Sequence, residues 1–230
     1  MLIIVAYLTL EISSKSDKCM NGTLVIPENT TIISEREYYG CSEFTGILTI
    51  PNTVTQIKSE AFYGCSGFTG SLIIPDSVIE IGWYAFSGCI GLNESLILGK
   101  SMKDIGVNSF KGCSEFTGTL TIGENVKTIQ STAFLGFSKF TGSLIIPNSV
   151  EMIGDSAFSG CSNFTELILP NNITRIEQST FSKCSGFTGS LNIPNTVLYI
   201  AGDSFSGCSG FTGSLIIPDS VIEIGWYAFS

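Results

Sequence analysis

The chain has 230 residues, enough for one well-buried domain or for a run of small stacked units. Apolar residues make up 43% and charged residues 13%, which excludes disorder driven by excess charge. The formal net charge of −9, with Arg36 and Arg175 the only arginines, disfavours a nucleic-acid partner; the lack of histidine removes Ser-His-Asp, Cys-His and His-ligated metal chemistry.

The chain opens with MLIIVAYLTL, ten apolar or neutral residues, too short to span a bilayer. Two readings of residues 1–20 stand. One is a signal-peptide core without a basic start or an Ala-x-Ala-like cleavage site. The other is a degenerate first repeat that acts as a cap. Leu2, Ile4, Leu8 and Cys19 would then fall in register, while Glu11 and Lys15 would not. No other segment can cross a membrane, so membrane association would require sequence beyond this chain.

From residue 21 onward one pattern fills the chain. A leading leucine recurs at Leu24, Leu48, Leu72, Leu96, Leu120, Leu144, Leu167, Leu191 and Leu215. The spacing is 24 residues, with a single 23 between Leu144 and Leu167. Numbered from that leucine, position 3 is Ile or Leu and position 10 is Ile in every copy. Position 15 is Phe, or Tyr38 in the first copy, and position 21 is Phe or Leu. Leu-x-Ile places two side chains on one face of a short strand. Proline or glycine at position 4 should end that strand after about three residues. The other apolar positions fit no single helix face; they fit a coil that turns several times and points its anchors to a shared interior. Glycine at position 17 predicts a positive-φ turn, with Lys183 the exception. No copy can bury its anchors alone, so the copies should stack as a solenoid of nine repeats over residues 21–230, truncated in the ninth. Strand spacing makes that stack about 40 Å long.

Position 18 holds Cys41, Cys65, Cys89, Cys113, Cys161, Cys184 and Cys208, with Phe137 in the fifth of the eight slots. A disulfide or metal site would not accept Phe, whereas a buried apolar slot would. These cysteines are therefore expected to form a structural ladder of thiols that does not report a redox compartment. No C-x-x-C spacing occurs, and neither a metal nor a cofactor is expected. Glu28, Asp76, Glu124 and Asp219 share position 5 with Asn52, Lys100, Asn148, Asn171 and Asn195. That mixture reads as solvated turns rather than a calcium site. Asn-x-Ser/Thr sequons occur at Asn21, Asn29, Asn93, Asn163 and Asn172; most such matches in a chain of this composition are accidental. No carboxylate pair stands out from the repeat, so no enzyme is expected.

The copy CSGFTGSLIIPDSVIEIGWYAFSGC resembles the BspA-like class of leucine-rich repeats, found on surface proteins of bacteria and mucosal protists. The resemblance covers residues 17–230. It implies a curved leucine-rich-repeat solenoid with short parallel strands on the concave face and turns and short helical segments on the other side. A parallel β-helix is the alternative architecture. In most copies Phe-Thr-Gly-Ser-Leu is one residue longer than the usual Leu-x-x-Leu, as if one loop residue had been inserted. Residues 64–87 and 207–230 are identical, a mark of recent duplication; the chain stops before the ninth Gly-Cys, which points to a longer natural protein.

What is left for function is surface. With positions 1 and 3 inward, position 2 must face solvent on the concave side. Ile73, Ile97, Thr121, Ile145 and Ile168 form the candidate binding strip there, flanked mostly by Ser or Thr at position 24, with Ile47 and Glu166 the exceptions. The plain alternative is that β-branched residues suit strands. Trp83 and Trp226, at position 12, lie away from that side. The resemblance implies a non-enzymatic adhesion module, at the cell surface or secreted, with a host cell-surface or matrix protein as partner. The alternative is a cytoplasmic leucine-rich-repeat scaffold for protein–protein interaction.

Overall fold

The computed structural model describes Cys19 and residues 22–230; both readings of residues 1–20 fall outside the described residues, apart from Cys19. Each repeat is one coil. The strands are β1 (Ile32–Ile33), β2 (Gln56–Ile57), β3 (Leu72–Ile73), β4 (Glu80–Ile81), β5 (Leu96–Ile97), β6 (Asp104–Ile105), β7 (Leu120–Thr121), β8 (Thr128–Ile129), β9 (Gly142–Ile145), β10 (Met152–Ile153), β11 (Phe164–Ile168), β12 (Arg175–Ile176), β13 (Tyr199–Ile200) and β14 (Glu223–Ile224). All of their pairings are parallel and join neighbouring coils.

The expected sheet at positions 1 and 2 forms in two blocks, β3-β5-β7 and β9-β11. A second sheet, at positions 9 and 10, is longer: β1-β2-β4-β6-β8-β10, followed by β12-β13-β14. Its register stacks isoleucine on isoleucine, from Ile33 on Ile57 through Ile129 on Ile153. The first strand ends before position 4 as expected, and a turn follows in which the position 7 N–H donates to the position 4 carbonyl (Val78 to Pro75, 3.1 Å).

The short helical segments do not form: among the described residues there is no helix. The third side of each coil is a run of tight turns. Position 17 takes positive φ as the glycines predict (Gly64, 70°; Gly160, 77°), and Lys183 adopts it too at 61°. Position 13 is also left-handed in all nine coils, from Arg36 at 57° to Tyr227 at 57°. That conformation interrupts a helix and turns alternate N–H groups along the solenoid axis. Positions 13, 15 and 17 donate to the next coil, as in Glu60 to Trp83, Phe62 to Ala85 and Gly64 to Ser87 at 2.7–2.8 Å. This turn ladder continues across the 23-residue coil, where the long sheet breaks (Ser156 to Gln178, 2.9 Å). The missing residue is absorbed on the first sheet by a register shift between Phe164 and Glu166.

The interior is a set of ladders. At position 15 the rings of Tyr38, Phe62, Phe86, Phe110, Phe134, Phe158, Phe181, Phe205 and Phe229 stack continuously, with centroids 5.1–5.7 Å apart. A second, interrupted stack runs at position 21, where Leu92 replaces Phe. The ladder side chains are almost wholly buried between coils through Phe205, as a solenoid core requires, while Phe211 and Phe229 at the last coils are partly buried.

The cysteine ladder needs one correction. Cys41 is disulfide-bonded to Cys19, so it is not a thiol of the ladder. The other six are thiols, five of them buried and Cys208 partly so. They do more than fill space. Each Sγ donates to the position 15 carbonyl of the preceding coil, for example Cys113 to Phe86 at 3.0 Å and Cys89 to Phe62 at 3.1 Å. That carbonyl also accepts the N–H of its own coil's position 18 (Cys89 N–H to Phe86, 3.2 Å). Burial, foremost, pushes the Cys89 and Cys184 thiols up; for Cys208 the hydrogen bond with Cys184 leads and burial follows. Protonated thiols are the form that can donate.

Candidate binding surface

The period-2 alternation fixes the strip. Leu72 and Ile74 are buried, while Ile73 between them is 55% exposed. Ile97, Ile145 and Ile168 are 37%, 54% and 41% exposed, and Thr121 is exposed as well. Pairing sets Ile73 beside Ile97 and Ile97 beside Thr121, and separately Ile145 beside Ile168. The five residues thus share one face in two laddered groups, since no ladder joins β7 to β9. Val25 and Ile216 continue the row toward its ends.

The flanking hydroxyls are largely committed within the molecule. Ser71 Oγ donates to Glu94 (2.9 Å) and Ser143 Oγ to Glu166 (2.5 Å). Ser95 Oγ accepts the N–H of Thr119 at 3.1 Å. Position 24 therefore mainly closes the edge of each coil. Two shallow grooves border the strip. One, of about 600 Å³, lies where β11 and the next coil part, lined by Glu166, Ile168, Asn171, Ser190 and Asn192. The other, of about 550 Å³, lies between Ile73, Ile97, Asp76 and Gly99. At position 5 the Asp76 carboxylate accepts the N–H of Lys100 (2.8 Å), and Asn148 accepts that of Asn171 (3.0 Å). These side chains bridge turns of adjacent coils. Among the described residues no three carboxylate or thiol groups come together as metal ligands would.

A second apolar edge, at positions 8, 12 and 13, lies beside the long sheet. Ile79, Trp83 and Tyr84 are exposed there, and Ile222, Trp226 and Tyr227 repeat them in the last coil. Sequence reasoning placed the two tryptophans away from the strip but not next to the residues they meet, which come from several coils.

A stacked solenoid with parallel strands, a proline-closed turn and an aromatic spine is the architecture of leucine-rich-repeat proteins. The sequence model of the BspA type leucine-rich repeat region matches in six copies, over residues 16–141, 68–188 and 138–230. The chain belongs to that family. Among solved structures it is similar to a leucine-rich-repeat protein of T. pallidum, with a TM-score of 0.61 and 26% identity over 73% of this chain and 81% of that one. It is also similar to a leucine-rich-repeat protein from Eubacterium ventriosum, with a TM-score of 0.50 and 16% identity over 86% and 79%. Comparison with curated proteins found no match.

Proposed function

We propose that the chain is a non-enzymatic recognition module, at the cell surface or secreted, which binds a protein through the position 2 strip. The observation that carries this reading is the row of Ile73, Ile97, Ile145 and Ile168, each 37–55% exposed between neighbours that are buried, apart from the partly buried Leu167. Strand propensity accounts for β-branched residues one at a time. It gives no reason for a single face to be apolar over consecutive coils, and such patches mark interaction sites. The Cys19–Cys41 disulfide supports an oxidising environment, hence export. The family resemblance points to a host cell-surface or matrix protein as the partner class.

The test is the double variant Ile97→Lys with Ile145→Lys. Two charges on an apolar contact surface should weaken adhesion to cells or matrix proteins by more than about tenfold. Both side chains are already solvated, so the melting temperature should move by less than about 2 °C. A folded double variant that still adheres would remove the strip from recognition.

A further inference from the structure

We propose that a groove along the second sheet of the solenoid, beside Trp83, receives an arginine side chain from a basic segment of a partner protein. The groove holds about 380 Å³ and is lined by Lys58, Ser59, Glu80, Trp83, Asp104 and Gln130, which come from four successive coils. Trp83 is 63% exposed. An indole face attracts a guanidinium electrostatically, and the attraction grows when a partner excludes water. Lys58 Nζ already neutralises Glu80 at 2.9 Å. Asp104 is exposed and makes no ion pair among the described residues, so the groove offers one uncompensated carboxylate next to an aromatic face.

The molecule builds this arrangement twice with its own arginines. Arg36 lies 4.2 Å over the Tyr39 ring and 3.3 Å from Glu60. Arg175 lies 4.6 Å over the Tyr199 ring and 3.0 Å from Glu177. Each guanidinium uses a ring face and a carboxylate together, which its planar fork allows and a lysine ammonium does less well. At Trp83 the ring and the carboxylate are present, and among the described residues no cation covers the indole. The net charge of −9 would steer a basic segment toward the molecule.

The duplicated segment supplies an internal control. Trp226 and Glu223 repeat Trp83 and Glu80, but Ala201 stands where Lys58 does. Trp226 thus has the indole without the lysine that lines the Trp83 groove.

The probe is the blocked peptide acetyl-Gly-Ser-Arg-Gly-Arg-Ser-Gly-amide, titrated into the Trp226→Phe chain while the fluorescence of Trp83 is followed. Saturable quenching is expected. Asp104→Asn, or citrulline in place of both arginines, should weaken binding about fivefold or more. By calorimetry on the otherwise native chain, Trp83→Ala should abolish binding, Trp226→Ala should leave it unchanged, and the Ile97→Lys, Ile145→Lys variant should bind as the native chain does. Equal binding of the citrulline peptide would overturn the proposal. So would loss of binding on Trp226→Ala, or quenching by cellobiose but not by the arginine peptide, which would make the groove a saccharide site. Should Trp83→Ala not fold, an Asp104→Asn chain that binds as tightly as native would overturn it equally.

Discussion

Replacing Phe134 with alanine tests the aromatic spine at its centre. The ring is fully buried, stacked on Phe110 at 5.5 Å and on Phe158 at 5.2 Å, with Phe137 edge-on at 5.6 Å. Removing it forfeits about 2–3 kcal/mol of transfer free energy. The cavity adds about 1–2 kcal/mol, because rigid coils on both sides limit collapse. Two lost ring faces bring the total to about 4–5 kcal/mol, near the top of the range for buried Phe→Ala. For a chain of this size that lowers the melting temperature by about 8–20 °C. The matched control is Phe229→Ala. That ring is only partly buried and stacks on Phe205 alone, so its loss should cost about 1–2 kcal/mol. Urea unfolding followed by circular dichroism measures both. Because each coil contacts only its neighbours, the central lesion should also broaden the transition as the two halves uncouple. A Phe134→Ala chain that melts within about 2 °C of native, or one no less stable than Phe229→Ala, would refute the repeat register.

Two further outcomes concern the thiols and the phenol. In denaturant without reductant, an alkylating agent should label six cysteines and spare Cys19 and Cys41, read as mass shifts before and after reduction; a second disulfide would break the ladder. Without denaturant, Cys89 and Cys184 should resist labelling at neutral pH, because buried protonated thiols are poor nucleophiles. Stability should also fall in alkali. Burial, with Glu37 adding to it, pushes Tyr38 up to about 12 from 10.0. Burial likewise pushes Cys89 and Cys184 up from 9.0. The unfolded chain therefore loses these protons first. Their contribution is whole below about pH 9 and declines as pH rises toward the folded-state values, so the melting temperature should be flat from pH 6 to 8 and drop between 9 and 12. A melting temperature that is flat to pH 11 would contradict the burial of these groups.

Why some of this was legible in the sequence and some was not comes down to where each constraint acts. Positions 1, 3, 10, 15 and 21 are buried by contact with the same position one coil away, so selection repeats them and the period shows itself. Position 17 was legible because glycine relieves a positive φ. Position 13 bears the same strain on Arg36, Glu60, Tyr84, Asn108 and Thr132, and no residue type marks it. Its conformation is held by N–H donation along the axis, a tertiary bond that local propensity does not record. The long sheet at positions 9 and 10 escaped for a related reason. Two-residue strands have no room for alternation, and position 9 carries Gln56, Glu80, Asp104, Thr128 and Met152 because it faces water. The cysteines were placed correctly as interior but for half of the reason: Phe137 showed that an apolar group fits, and hid that a thiol also donates to the carbonyl beneath it. Cys19 was missed as a partner because its 22-residue distance from Cys41 nearly matches the repeat, so it read as one more rung.

The same division applies to the two candidate sites. Every isoleucine of the position 2 strip occupies one register position, and a single column of the repeat displays it. The groove at Trp83 draws position 11 from the second coil, positions 9 and 12 from the third, position 9 from the fourth and position 11 from the fifth. Lys58 and Gln130 depart from the glycine common at position 11, and positions 9 and 12 share no residue type, so alignment of the repeats dissolves the site that stacking assembles. In a solenoid the shared columns build the scaffold, and departures from them that stacking gathers on one face are where specificity for a single ligand can arise. Under the two proposals made above, that criterion makes the strip the general face and the Trp83 groove the more selective one. Abolishing the first should therefore cost binding to many partners, and abolishing the second should cost binding only to those that present arginine.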